Sequence, residues 1–220
     1  MTGTDDDASE NDEERERWIQ AMPKVELHAH LNGCIRPSTL QDLAKERNVI
    51  LSSLHHDPKD NTETTGGTMY NRRPRSLKDC FDIFAEIPKC VDNRASLKRI
   101  VLETLEDFQD SHVVYLELRS TPKKLNDLSK LQYCKLILDT LLEYERQEET
   151  RYRSEVQQRQ SAPEIANTIK LPMMCRFIVA ADRSSTIADA VEHVELAIEL
   201  RDSYPGHVVG VDLGGNPCKV

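Results

Sequence analysis

No apolar run in this chain approaches the roughly 18–20 residues that a bilayer-spanning helix requires. Positive charge is also in short supply. Lys and Arg total 29 against 38 Asp and Glu, a formal net charge of −9. That balance argues against nucleic acid or an anionic membrane surface as a general partner, since both reward basic residues. It leaves room for a small anionic ligand held by a few local cations. The six cysteines (Cys34, Cys80, Cys90, Cys134, Cys175 and Cys218) are scattered and form no CxxC pair. The opening MTGTDDDASENDEERER lacks the basic-then-apolar order of a secretory signal. The cysteines are therefore expected to be reduced thiols of a cytoplasmic protein. No repeat of fixed period is present. The hydrophobic fraction is lean at 38%, yet 220 residues suffice for one sizeable domain.

What is present alternates between two periods. Residues 1–14 are too polar and too like-charged to fold alone and are expected to be a disordered acidic tail, with a short helix over 14–22. Lys24–His30 alternates with period two, a strand pattern. PSTLQDLAKERN opens with Pro37 where a first helical turn accepts it. Residues 52–75 are rich in Gly, Pro, Thr and Asn and read as a mobile loop. SLKDCFDIFAEI reads as a helix capped by Ser76, with Leu77, Phe81 and Phe84 on one face. A second helix, ASLKRIVLETLEDFQDS, follows. VVYLELRSTP (113–122) reads as a strand stopped by Pro122. A helix over 129–147 shades into a polar insert at 147–170, expected to be an exposed helical extension. MMCRFIVAADR (173–183) is a strand, IADAVEHVELAIELRDS a helix, and HVVGVDLGGNP (207–217) a strand ending in Gly-Gly. Strands separated by helices imply a parallel sheet. Each strand ends in a polar cluster, as in a βα barrel whose chemistry gathers at the C-terminal strand ends. The expected fold class is α/β, of the TIM (β/α)8-barrel type, incomplete, with about four βα units. A full barrel needs eight strands and about 250 residues.

Residues two apart on a strand point to one face, so His28 and His30 can offer two imidazoles to one metal ion. The HxH spacing alone is a weak signal, because same-face histidines are more often packed or solvated. The surrounding residues narrow the reading. PKVELHAHLNG resembles the opening signature of the adenosine deaminase family, and SLKDCFDIF, VVYLELRSTPKK and VVGVDLGGNP follow in that family's order. Together they cover most of the chain from about residue 23 to 217. Within the family the sequence looks closest to the adenosine deaminase-like branch, the N6-methyl-AMP deaminases. The discriminating residue is Asn32. Adenosine deaminases proper carry Asp there, facing the ribose 5′-hydroxyl. A carboxylate would repel a 5′-phosphate, whereas an amide can hydrogen-bond without the charge.

The resemblance implies zinc as cofactor, with His28 and His30 as ligands and His30 also near the substrate. It implies that Asn32 touches the ribose-phosphate side and that Ser120, Thr121, Pro122 and Lys123 line the nucleotide, Lys123 neutralising phosphate. Asp182 would contact the ligand, and Gly215 would offer its backbone N–H to the purine ring. The implied reaction is hydrolytic, converting N6-methyl-AMP to IMP and methylamine. The H-x-E and P-C-x-x-C pattern of the other zinc deaminase design is absent. The family's third zinc histidine, its proton-shuttling Glu, its transition-state histidine and its late Asp-Asp pair lie beyond VVGVDLGGNP. No catalytic acid or base is therefore assigned, and residues 15–220 read as the N-terminal half of a deaminase barrel. Pro88 stands where the closest branch tends to carry a ligand-facing histidine. The alternatives are a deaminase-like module that binds a nucleotide or protein without turnover, and a deaminase acting on the nucleoside.

The remaining polar residues have structural readings. Glu117 and Arg119 share a strand face and are expected to pair inside the barrel. His55 and His56 lie in the loop. His112, His193 and His207 read as surface residues, and the cysteines as small core or surface thiols. Asp212 reads as a turn-forming or ion-paired residue. The strand edges at Val25–His30 and Val208–Leu213 are expected to be unpaired.

Overall fold

Parallel strands cannot be joined by hairpins, so each return of the chain takes a crossover, usually helical. The computed structural model, which describes residues 5–51, 77–161 and 170–216, follows that rule. Strands β1 (Lys24–His30), β2 (Val113–Ser120), β3 (Met174–Asp182) and β4 (Val208–Gly214) form one parallel sheet in the order β1-β2-β3-β4. Helix α1 (Asp5–Ala21) precedes β1. Helices α2 (Pro37–Glu46), α3 (Leu77–Cys90) and α4 (Arg94–Asp110) lie between β1 and β2, α5 (Lys130–Ser161) between β2 and β3, and α6 (Ile187–Ser203) between β3 and β4. Sequential strand order is the winding of a (β/α)8 barrel, not the reversing order of a doubly wound sheet. Among the described residues, β1 and β4 are the sheet's edges, as the sequence led one to expect.

Helices α4, α5 and α6 pack on one face of the sheet. Leu116 and Leu118 of β2 and Cys175, Phe177 and Val179 of β3 meet Leu97, Val101 and Leu105 of α4 and Ile137, Leu138 and Leu141 of α5 in a continuous buried core. Strand alternation decides this: the even residues of β2 and the odd residues of β3 share that face through the pairings Leu116↔Cys175 and Leu118↔Phe177. The opposite face is left for polar work. Local caps fix where helices start. Asn93 accepts from the Ser96 N–H at 3.0 Å in a capping box before α4, and Thr186 accepts from the Asp189 N–H at 3.1 Å before α6. No helix among the described residues is long and apolar enough to cross a membrane.

Two elements differ from the sequence reading, and a third extends as it led one to expect. The helix expected over 14–22 begins at Asp5, inside the stretch expected to be a disordered tail. Helix α3 runs through Pro88 to Cys90 instead of ending before it. Helix α5 is continuous to Ser161, through the first part of the polar insert. Pairs one turn apart (Arg151 with Glu148 and Glu155, Arg153 with Glu149) support it where little is buried. The loop at 52–75, with His55 and His56, and the expected cap Ser76 lie outside the described residues, as do insert residues 162–169.

His193 is a correction. It was expected at the surface, but it is only 3% exposed. Leu196, Ala197 and Leu200 fix the buried face of α6, and His193 lies one turn before them on that face. Neither ring nitrogen meets a partner in good hydrogen-bond geometry. Burial, then the charge of Lys130, holds its pKa below the ordinary histidine value, against Glu192 and Asp189. With the folded value lowered, the unfolded chain takes up the proton first. This residue's contribution is complete above the unfolded value of 6.5 and is lost as pH falls toward the folded one. In urea titrations at neutral pH and near pH 5, the native chain is expected to lose more stability on acidification than His193→Leu. Equal losses would mean that the ring is solvated.

Candidate active site

The two histidines stand on a strand that is not regular. From Glu26 to Ala29, β1 advances three residues while β2 advances two, from Leu116 to Leu118. One extra residue is thus accommodated beside His28, a β-bulge of the kind that re-aims side chains. The backbone groups around it find side-chain partners. The His28 N–H donates to Glu26 Oε1 at 2.7 Å, and the Leu27 carbonyl accepts from Arg119 Nη2 at 2.6 Å. The Nε2 atoms of His28 and His30 then lie 3.1 Å apart, with ring centroids 5.0 Å apart. Two nitrogens bound to one tetrahedral zinc at about 2.0–2.1 Å would be separated by about 3.3 Å. The pair fits two positions of such an ion. No group of three or more His, Cys, Asp or Glu among the described residues could hold a metal, so the fit is that of part of a site. His30 favours the neutral form a ligand needs. Burial, His28 and Arg119 lower its pKa, against Asp212.

Both histidines open on a cleft of about 860 Å³ at the C-terminal ends of the strands. The expected residues Asn32, Thr121, Lys123, Asp182 and Gly215 line it as well. Leu31 is fully buried and anchors the 3-10 turn Leu31–Gly33 that carries Asn32 into the cleft. Phe81 and Phe84 of α3 add an aromatic wall, edge to face at 5.8 Å. Burial lowers the Lys123 pKa, partly offset by the charge of Asp182. No carboxylate lies within ion-pair reach of Lys123 among the described residues. Asp182 itself is engaged: its Oδ1 accepts from the Ser184 N–H at 2.8 Å and Oγ at 2.7 Å. Burial and the charges of Glu26 and Asp107 push the Cys34 thiol up to about 11, so it is a protonated wall residue, not a nucleophile.

Two expected residues do not face the cleft. Ser120 is buried and shares a 2.7 Å hydrogen bond with the Tyr133 hydroxyl, and Pro122 is buried too. The reason is alternation carried past the strand end. Residues 118, 120 and 122 turn to the helix layer, while 119, 121 and 123 turn the other way. The pair expected between Glu117 and Arg119 is not formed. Glu117 accepts from the Tyr115 hydroxyl at 3.0 Å, and Arg119 Nη1 lies 3.1 Å from Asp212 Oδ2. The reading from sequence also passed over Glu26. Its position two residues before His28 carries no signal until the bulge is known.

The model of the family described as adenosine deaminase matches residues 23–219. This chain belongs to the adenosine deaminase family. An N6-mAMP deaminase from Arabidopsis thaliana is 36% identical over 207 residues, covering 91% of this chain and 54% of that protein. An N6-Methyl-AMP deaminase from Danio rerio is 32% identical over 208 residues, 94% and 51% of the two chains. Arabidopsis ADAL complexed with GMP matches with a TM-score of 0.65 at 35% identity, covering 92% of this chain and 52% of that one. The same protein complexed with IMP gives 0.64 at 36%, covering 91% and 52%. The chain spans about half the length of the curated relatives it matches. Its fold is α/β of the (β/α)8-barrel type, with about four βα units.

In this adenosine deaminase family member, Gly215 sits at φ +100°, and a Cβ there would overlap the Asp182 carboxylate. Gly206 sits at φ +80° with nothing within 4 Å of such a Cβ. Gly206→Ala therefore tests backbone strain alone, at about 1–2 kcal/mol. Gly215→Ala is expected to cost more in chemical denaturation, because it also displaces Asp182 from Ser184. Equal costs would show that Asp182 yields freely.

Proposed function

We propose that this chain contributes the N-terminal half of the nucleotide site of a zinc-dependent hydrolase that converts N6-methyl-AMP to IMP. Water adds at purine C6, the C6–N6 bond breaks, and methylamine leaves with the proton. The observation that carries the reading is the convergence of the His28 and His30 Nε2 atoms, 3.1 Å apart, in the same cleft as Lys123. The relatives named for N6-methyl-AMP deamination, and the GMP and IMP complexes of one of them, support a purine monophosphate as ligand.

His28 and His30 would hold the zinc, which when bound supplies the Lewis acidity that activates water near neutral pH. The other roles belong to this chain's own groups. Lys123 would hold the 5′-phosphate, whose charge restores what burial takes from the ammonium. Asn32 would hydrogen-bond the ribose-phosphate side without adding charge, and Thr121 would offer its hydroxyl beside it. Gly215 would present its N–H to the purine, where a side chain is excluded by Asp182. Asp182, fixed by Ser184, would accept a hydrogen bond from the base. Nucleotide binding without turnover is the second reading. The carboxylates lining the cleft, Glu26, Asp182 and Asp212, are engaged with His28, Ser184 and Arg119, which leaves acid–base chemistry to a residue outside the described cleft.

Titration calorimetry with IMP and inosine separates the readings of the pocket. IMP is expected to bind at least about tenfold more tightly, and Lys123→Met to remove that margin. Equal affinities in the native chain would sink the phosphate assignment. Turnover is tested on a full-length form with zinc, following methylamine release from N6-methyl-AMP. Adenosine deaminated in its place would reject the substrate. Asn32→Asp should move preference toward the nucleoside by about tenfold or more through charge repulsion; an unchanged ratio would remove Asn32 from recognition.

A further inference from the structure

A bulge leaves backbone groups outside the strand ladder, and each needs a partner. In β1 the two polar groups of the peptide joining Leu27 to His28 are satisfied by side chains, the N–H by Glu26 and the carbonyl by Arg119. The Arg119 side chain is 8% exposed and does not line the cleft, so it is not placed to touch a ligand. His30 is its register partner across β1 and β2. Its two terminal nitrogens do different work. Nη2 donates to Leu27 in β1, and Nη1 pairs with Asp212 in β4. Strand β3 lies between, and the residue opposite Asp212 there is Ala180, small enough for the guanidinium to pass.

We infer that Arg119 is a positioning residue for the His28–His30 pair, closing the β1 bulge that sets their spacing and anchoring it to β4 through Asp212. The inference rests on the pair being metal ligands. A planar fork with donors at both ends can bridge a carbonyl and a carboxylate on opposite sides, which a single ammonium does poorly. Outer partners of metal ligands usually act on affinity by about 10- to 100-fold.

The experiment compares the native chain with Arg119→Met, Arg119→Lys and Asp212→Asn, using Ile137→Val as a remote core control. In the metal-free proteins, hydrogen exchange is followed in peptides covering 24–31 and, separately, β2 and β3. Zinc affinity is then measured by competition with a chromophoric chelator. Arg119→Met is expected to speed exchange at 24–31 by about tenfold or more while β2 and β3 keep their protection, and to weaken zinc by about tenfold or more. Arg119→Lys should fall between, and Ile137→Val should leave both readouts unchanged. If Arg119→Met loses protection throughout, Asp212→Asn, which keeps side-chain volume, supplies the same local comparison. Unchanged exchange at 24–31, or altered exchange with native zinc affinity, would overturn the positioning role. Failure of the native chain to bind zinc would instead overturn the proposed function, and the exchange comparison would still decide whether Arg119 holds the bulge.

Discussion

One buried guanidinium joins three of the four strands: Arg119 stands on β2, donates to Leu27 on β1 and pairs with Asp212 on β4. Burying a charge pair costs desolvation that only good geometry and further hydrogen bonds offset. Here the geometry comes from the sheet itself. Parallel register sets His30 beside Arg119 and Ala180 beside Asp212, so the side chain has a fixed floor to cross. The bulge in β1 turns the Leu27 carbonyl toward that side chain. The same bulge brings the two imidazoles to 3.1 Å. Without the guanidinium, a partly buried carbonyl and a partly buried carboxylate would both lose this partner, at up to about 1–3 kcal/mol each where water does not replace it.

The charges of the cleft run against those of the chain. The whole sequence is acidic by nine charges, which repels an anion at long range. Recognition of one must therefore be local. The cleft meets that condition by occupying its carboxylates. Glu26 faces the His28 amide, Asp182 faces Ser184, and Asp212 faces Arg119. Lys123 is the contrasting case, a desolvated ammonium with no carboxylate in contact among the described residues. A phosphate arriving there would relieve the burial penalty, and a neutral ligand would not.

The elements were legible because strands and helices advertise themselves by period. β1 from Lys24 to His30 follows from alternation alone, and β2, β3 and β4 were bounded to within a few residues. The cleft was legible as a set of strand ends. The bulge was not. A bulge changes register by one residue and leaves composition untouched, so strict alternation put His28 and His30 on one face with no slip between them. The partner of Arg119 was hidden for a related reason. Glu117 is near in sequence and Asp212 is near only after two crossovers. Ser120 and Pro122 were placed in the cleft with Thr121 and Lys123 because the motif is contiguous, while a chain still alternating can present only every second residue. His193 was misjudged because a polar residue on a helix says nothing about its face until Leu196, Ala197 and Leu200 are seen to set it.

The site places its residues on two kinds of support, paired strands and a short turn. On the proposed reading, the spacing of His28 and His30 is held by a strand, a bulge and a partly buried ion pair, where a substitution disturbs several strands at once. Position 32 is different. It lies on a short 3-10 turn anchored by the buried Leu31 before it, with its own side chain half-buried in the cleft. Asn and Asp have nearly the same shape, so an exchange there alters one unit of charge with little repacking. On the proposed reading, that unit decides whether the cleft tolerates a 5′-phosphate. On that reading the chemistry is fixed by the sheet, Lys123 rewards the phosphate, and Asn32 withholds the charge that would repel it, at a position whose replacement the fold barely registers.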